Sequence, residues 1–87
     1  MTDLHHVYVI QSRKTKELYF GFTSDLSKRL EEHNAGRVVS IADKRPWEYV
    51  YCESYRSEKD ARIREQKLKQ YGNARTYIKN RLKESLS

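Results

Sequence analysis

The chain predicts an α+β fold: a three-stranded antiparallel β-sheet flanked by helices, in the order β-β-α-β-α-α. Three observations carry that prediction. Two short apolar runs, His6-Val7-Tyr8-Val9-Ile10 and Leu18-Tyr19-Phe20-Gly21-Phe22, stand on either side of a polar link. A third run carries Trp47, Tyr49, Tyr51 and Tyr55. The remaining segments show helix-capping signals and helical apolar spacing.

Each element has its own justification. Residues 6–12 set Val7 and Val9 against Tyr8 and Ile10, the period of a strand. Residues 17–22 set Leu18, Phe20 and Phe22 against Tyr19 and Gly21, and the polar Ser12–Lys16 link closes a hairpin. A register that pairs residues whose numbers sum to an odd value brings Tyr8 and Tyr19 out on one face. Ser24 as N-cap, Asp25 in the first turn and Gly36 as C-cap bound a helix over residues 25–35. Residues 36–46 read as a loop carrying Arg37, Lys44 and Arg45 and ending at Pro46, before the long aromatic third strand. Ser57 with Asp60 resembles a capping box and opens a helix from 58 to about 71. Gly72 interrupts, and residues 74–84 form a last helix with Ala74, Ile78 and Leu82 inward.

Eighty-seven residues make one domain, residues 1–87, with its core over about 6–82. Hydrophobic content of 37% against 34% charged leaves much of the chain as surface. The net charge of +6 is one-sided: residues 1–55 balance at eight basic and eight acidic, whereas 56–87 carry ten basic and four acidic. Such a segment suits a polyanion partner. No long apolar run or signal-like segment occurs, so a cytoplasmic protein with no membrane association is expected. Cys52 cannot form an internal disulfide, and among Val50, Tyr51 and Tyr55 it reads as a small buried apolar group. Zinc-ligand spacing and a glycine-rich phosphate loop are both missing.

The residues that could carry chemistry break the amphipathic patterns. On a helical wheel Arg29 and His33 fall beside Leu26 and Leu30, where a charge needs a partner or a task. Glu65 borders the apolar stripe of its helix among Arg62, Arg64, Lys67 and Lys69. A lone carboxylate there suits either an ion pair or a divalent cation that leaves its other positions to water and phosphate. Tyr8 and Tyr19 suit sheet core, or acid–base work beside a cation.

Taken together, Val7-Tyr8-Val9-Ile10, Tyr19-Phe20-Gly21, Asp25 to Leu30 with Glu32-His33-Asn34, Arg45-Pro46-Trp47 and Ala61 to Glu65 with Leu68-Lys69 resemble the GIY-YIG nuclease superfamily. The likeness is to its small single-domain bacterial members and runs over about residues 6–82. It implies metal-dependent hydrolysis of DNA phosphodiesters, with Mg²⁺ or Mn²⁺ as cofactor. Carried over, Tyr8 is the general base, Arg29 stabilises charge on the phosphate, and Glu65 holds the metal. Tyr19 and His33 orient water and phosphate, and Gly21 permits close backbone approach. Arg37, Arg64, Lys69 and Asn80 are substrate-binding candidates, Asn80 standing where the family places a supporting asparagine, with Asn73 the other candidate. The chain departs from the pattern at His6-Val7-Tyr8, which lacks the first glycine. It departs again at Leu18 and Phe22, where some relatives place a lysine that activates the tyrosine.

The expected function is therefore an endonuclease of low sequence specificity, acting on DNA in repair or recombination, structured or single-stranded forms included. Low specificity is expected because the chain leaves no room for a separate DNA-reading domain; a targeting partner protein and a homodimer are further expectations. The alternative is a nucleic-acid-binding module of the same fold with weak cleavage or none.

Overall fold

The structure, a computed structural model, describes residues 3–86, the side chain of Ala74 excepted. Its elements are β1 (His5–Ser12), β2 (Leu18–Thr23), α1 (Leu26–Asn34), a 3-10 turn (Val39–Lys44), β3 (Trp47–Tyr55), α2 (Glu58–Gln70) and α3 (Gly72–Arg81). The strands form one antiparallel sheet in the order β2-β1-β3. The expected α+β architecture and element order hold.

The β1–β2 register pairs Tyr8 with Gly21 and Ile10 with Tyr19, so both tyrosines face the same side. That side packs against α1: Tyr8, Ile10, Ile41 and Trp47 form its buried centre, with Tyr19, Leu26, Leu30 and Tyr49 around them. The opposite side buries Val7, Val9 and Phe20 against Ala61 and Leu68 of α2 and Ile78 and Leu82 near α3. The result is three layers, with a sheet apolar on both faces between helices.

Alternation alone would put Trp47, Tyr49, Tyr51 and Tyr55 on one face. A bulge intervenes: Val9 pairs with Tyr51 but Ile10 with Tyr49, leaving Val50 unpaired. Trp47 and Tyr49 thus serve the α1 side, while Tyr51 and Tyr55 serve the other.

Several details differ from expectation. Asp25, not Ser24, is the N-cap of α1, accepting the Lys28 N–H at 3.0 Å. Thr23 Oγ1 accepts the Asp25 N–H at 3.0 Å and holds Asp25 extended, which moves the cap one residue on. Gly36 ends the helix as foreseen, at φ +78 in a Schellman closure, with Gly36 N–H on His33 O and Arg37 N–H on Glu32 O. The 36–46 segment is not all loop, because buried Ile41 anchors the 3-10 turn and its carbonyl accepts Trp47 Nε1–H. Gly72 opens α3 rather than interrupting it, and the helix ends at Arg81, where Leu82 leaves helical geometry. Ile78 and Leu82 are inward as expected; the side chain of Ala74 lies outside the described residues. Cys52, on β3, one of the two edge strands, is exposed, not buried.

Candidate active site

The site is built around Tyr8 on the central strand. Its ring lies across Gly21 of β2, where a Cβ would overlap Cζ and Oη and come within 2.9 Å of Cε1. The missing side chain lets the phenol lean toward the β2 edge. There Tyr8 Oη meets His33 Nε2 at 2.7 Å and accepts Arg29 Nε–H at 3.3 Å. Arg29 and His33, four residues apart, share a face of α1, as the wheel predicted. Arg29 NH1 also bonds Glu32 at 3.2 Å. Tyr19 packs edge-on against the His33 ring, with centroids 5.2 Å apart.

The electrostatics of this cluster follow from its burial. Desolvation pushes the Tyr8 phenol up to about 12; Arg29 opposes that through its hydrogen bond and charge, and Tyr19 and Glu65 add to it. Burial, then the Arg29 charge, hold His33 down at about 4, with Glu32 opposing. Arg29 can only donate, so at neutral pH the arrangement that satisfies His33 Nε2 has Tyr8 donating its own proton there. His33 then carries its proton on Nδ1, which is buried without a hydrogen-bond partner. Tyr8 is thus a neutral phenol with a cation on its oxygen and an unprotonated base at the end of its O–H.

Glu65 approaches from α2. Its charge reaches Tyr8, and its carboxylate is bound by Lys69 Nζ at 3.3 Å. Lys69 Nζ in turn lies 5.5 Å from the centre of the Tyr19 ring. The structure therefore brings Tyr8, Tyr19, Arg29 and His33 into one contact cluster, with Glu65 linked through Lys69.

The remaining candidates separate. Arg64 is engaged away from the cluster: its Nε and NH2 grip both Glu53 oxygens at 2.9 and 3.0 Å, and Tyr51 and Tyr55 donate to the same carboxylate. The pull of that partly buried anion outweighs solvation, so Arg64 ties α2 to β3. Arg37 is exposed beyond α1, on a shallow depression shared with Lys28, Glu31, Glu32 and Ala35. Asn80 is exposed on α3 and makes no hydrogen bond to Glu65 or the tyrosine cluster among the described residues.

The sequence reading missed three features. An open depression of about 460 Å³ beside Arg29 is lined by Phe22, Thr23, Asp25, Lys28 and Glu32. Arg62 lies over the Phe22 ring at 4.4 Å. Asn34 clamps the start of β3, its side chain donating to Trp47 O at 3.0 Å and accepting Trp47 N–H at 2.7 Å. None of the three leaves a local signal in the sequence, in contrast to the Glu65–Lys69 pair, whose i+4 spacing is visible there.

Among the described residues no three His, Cys, Asp or Glu side chains converge as a ready-made metal cage. Mg²⁺ does not require one: it commonly takes one or two carboxylates and leaves its other positions to water and phosphate. Glu65 fits that role, since its side chain is 21% exposed and its carboxylate already holds a cationic group.

A family model described as the GIY-YIG catalytic domain matches residues 4–83. A UPF0213 protein of Haloquadratum walsbyi is 35% identical over 72 residues, covering 82% of this chain and 80% of the relative. One from Halobacterium salinarum is 38% identical, covering 82% and 92%. A UPF0213 protein of Staphylococcus aureus is 34% identical over 70 residues, covering 79% and 84%. The solution NMR structure of a UPF0213 protein from Bacillus halodurans superposes with a TM-score of 0.56 at 23% identity, covering 92% of this chain and 85% of that one, and so shares the fold.

Proposed function

This chain belongs to the GIY-YIG catalytic domain family, a family of nucleases, and we propose that it hydrolyses DNA phosphodiester bonds in a divalent-metal-dependent reaction with little sequence preference. The observation that carries the proposal is the Tyr8 hydroxyl held at once by Arg29 and His33, with Glu65 near enough for its charge to act on the phenol.

In this reading Tyr8 Oη takes a proton from the attacking water as its own proton passes to His33 Nε2. His33 acts behind the phenol, not on the phosphate, because it is fully buried. A pKa near 4 keeps it unprotonated at neutral pH and so able to accept the phenol's hydrogen bond, but also makes it a weak base, which limits the rate of this relay. Arg29 supports negative charge, first on the phenol oxygen and then on the phosphate drawn against its open side. Glu65 would hold Mg²⁺ or Mn²⁺, which supplies Lewis acidity at the phosphate when bound. Arg29 opposes the rise in the Tyr8 pKa through its hydrogen bond and charge, in the place of an activating lysine, without overcoming the desolvation. Substrate is drawn by exposed cations of α2 and α3 through phosphate contacts, which explains the low sequence preference. Branched and damaged DNA, the substrates of repair and recombination, are the forms to assay first.

The test is cleavage and gel-shift binding by Tyr8→Phe and Arg29→Ala. Loss of cutting by about 10²-fold or more with DNA still bound supports the reading; full cutting by both variants contradicts it. A second reading, a binding module without cleavage, is favoured by the buried, weakly acidic phenol. It requires wild-type protein that binds DNA in the presence of metal and leaves it intact.

A further inference from the structure

Helix α2 places Glu65 and Lys69 one turn apart at the edge of β2, on the sheet's α2 side. Lys69 does not stay on that side. Its ammonium reaches the ring of Tyr19, a residue of the α1-facing layer, while holding Glu65 at 3.3 Å. It thus has two anchors, a carboxylate and an aromatic face, and at 48% side-chain exposure it also reaches the open rim. Because the ring anchor is independent of the carboxylate, Lys69 can release Glu65 and remain at the site.

We propose that Lys69 is the resident counter-cation of the site, holding the Glu65 carboxylate when no metal is bound and transferring to a DNA phosphate when metal takes its place. The proposal rests on Glu65 being the metal ligand. The exchange makes and breaks only ionic contacts: the carboxylate trades an ammonium for a divalent cation, and the freed ammonium trades a carboxylate for a phosphate. The two events favour each other. DNA that engages Lys69 uncovers Glu65, and metal that occupies Glu65 frees Lys69, so metal and DNA should bind with positive coupling. A half-exposed ion pair of this kind reduces apparent metal affinity by about two- to fivefold.

Mn²⁺ binding without nucleic acid, followed by electron paramagnetic resonance of the free ion, reads the first half directly. Lys69→Met should bind Mn²⁺ about two- to fivefold more tightly than wild type. Lys67→Met, which removes the same charge from the exposed side of α2, should shift it far less, and Lys69→Arg should behave as wild type. Glu65→Gln should abolish the binding. Equal affinity in wild type and Lys69→Met, with Glu65→Gln still blocking Mn²⁺, overturns the counter-cation role and leaves the metal site standing. Mn²⁺ binding indifferent to Glu65→Gln overturns both. The second half is read in the Glu65→Gln background on a DNA duplex. Adding Lys69→Met should lower the slope of log affinity against log salt by about one. An unchanged slope rejects the transfer to phosphate.

Discussion

Gly21→Ala tests the packing on which the site depends, because two effects of known sign oppose each other there. Alanine in a strand interior is favoured over glycine by about 0.5–1 kcal/mol, so an open position would make the variant more stable. The position is not open. The new methyl would lie 2.9 Å from Tyr8 Cε1 and closer still to Cζ and Oη, whereas ordinary contact begins at 3.4 Å. The ring must therefore retreat by about 0.5 Å at Cε1, the difference between those distances, and further at its polar end. That motion pulls Oη from His33 Nε2 and Arg29 Nε, now at 2.7 and 3.3 Å. Overpacking of this kind costs about 1–3 kcal/mol, which exceeds the propensity gain. Displacing a reacting oxygen by such amounts costs up to about 10²-fold in rate. Urea unfolding and cleavage kinetics on the same preparation measure both. Because the strain is specific to one ring, Gly21→Ala should cost much less in a Tyr8→Leu background, with a coupling of about 1 kcal/mol or more. A Gly21→Ala variant as stable as wild type, with no coupling to Tyr8, would refute the close packing of phenol on backbone.

Other expectations follow from individual contacts. Burial pushes the Glu53 carboxyl up, but hydrogen bonds from Arg64, Tyr55 and Tyr51 outweigh it, and the net direction is down. Its folded pKa then lies below the unfolded one, so its stabilisation is complete at neutral pH and is lost as pH falls through the folded value. Glu53→Gln should cost about 1–3 kcal/mol at pH 7 in urea unfolding, and the deficit should shrink in acid; a pH-independent deficit contradicts the ionic hub. His33 should keep the NMR shifts of a neutral imidazole between about pH 8 and pH 5.5, whereas titration near the ordinary histidine value would mean that the ring is not buried. Asn34→Ala removes two hydrogen bonds to the Trp47 backbone and should lower stability by about 1–2 kcal/mol, again by urea unfolding.

How far the sequence revealed the fold depended on how local each cause was. The strands and helices declared themselves because their periods are set within a few residues, and Arg29 and His33 stood out as polar groups on an apolar stripe. The bulge at Val50 did not, because it depends on how β3 meets β1. Without it the aromatic alternation suggests one face where the molecule uses two. Arg64 and Arg29 have the same composition-level signature, yet one is held by Glu53 eleven positions away and the other by Tyr8 twenty-one positions away, on the sheet face that α1 covers. Partners so distant in the chain leave no local mark. The same holds for Asn34, which reads as a helix end and acts as a strand clamp. Cys52 was misplaced because an apolar neighbourhood in sequence does not show which positions of a strand the helices cover. Five of the seven tyrosines find their roles only in three dimensions: two phenols surround His33, two bind Glu53, and Tyr49 caps the Leu26 carbonyl.

The most direct test is a time course of supercoiled plasmid and branched DNA with purified wild type and Glu65→Ala, in Mg²⁺, Mn²⁺ or EDTA. Cutting by wild type that needs the divalent ion and vanishes in Glu65→Ala, with both proteins folded by circular dichroism, is the predicted result. Cutting that persists in EDTA or in the folded variant, or no cutting by wild type under any condition, would contradict the nuclease mechanism built on Tyr8, Arg29, His33 and Glu65.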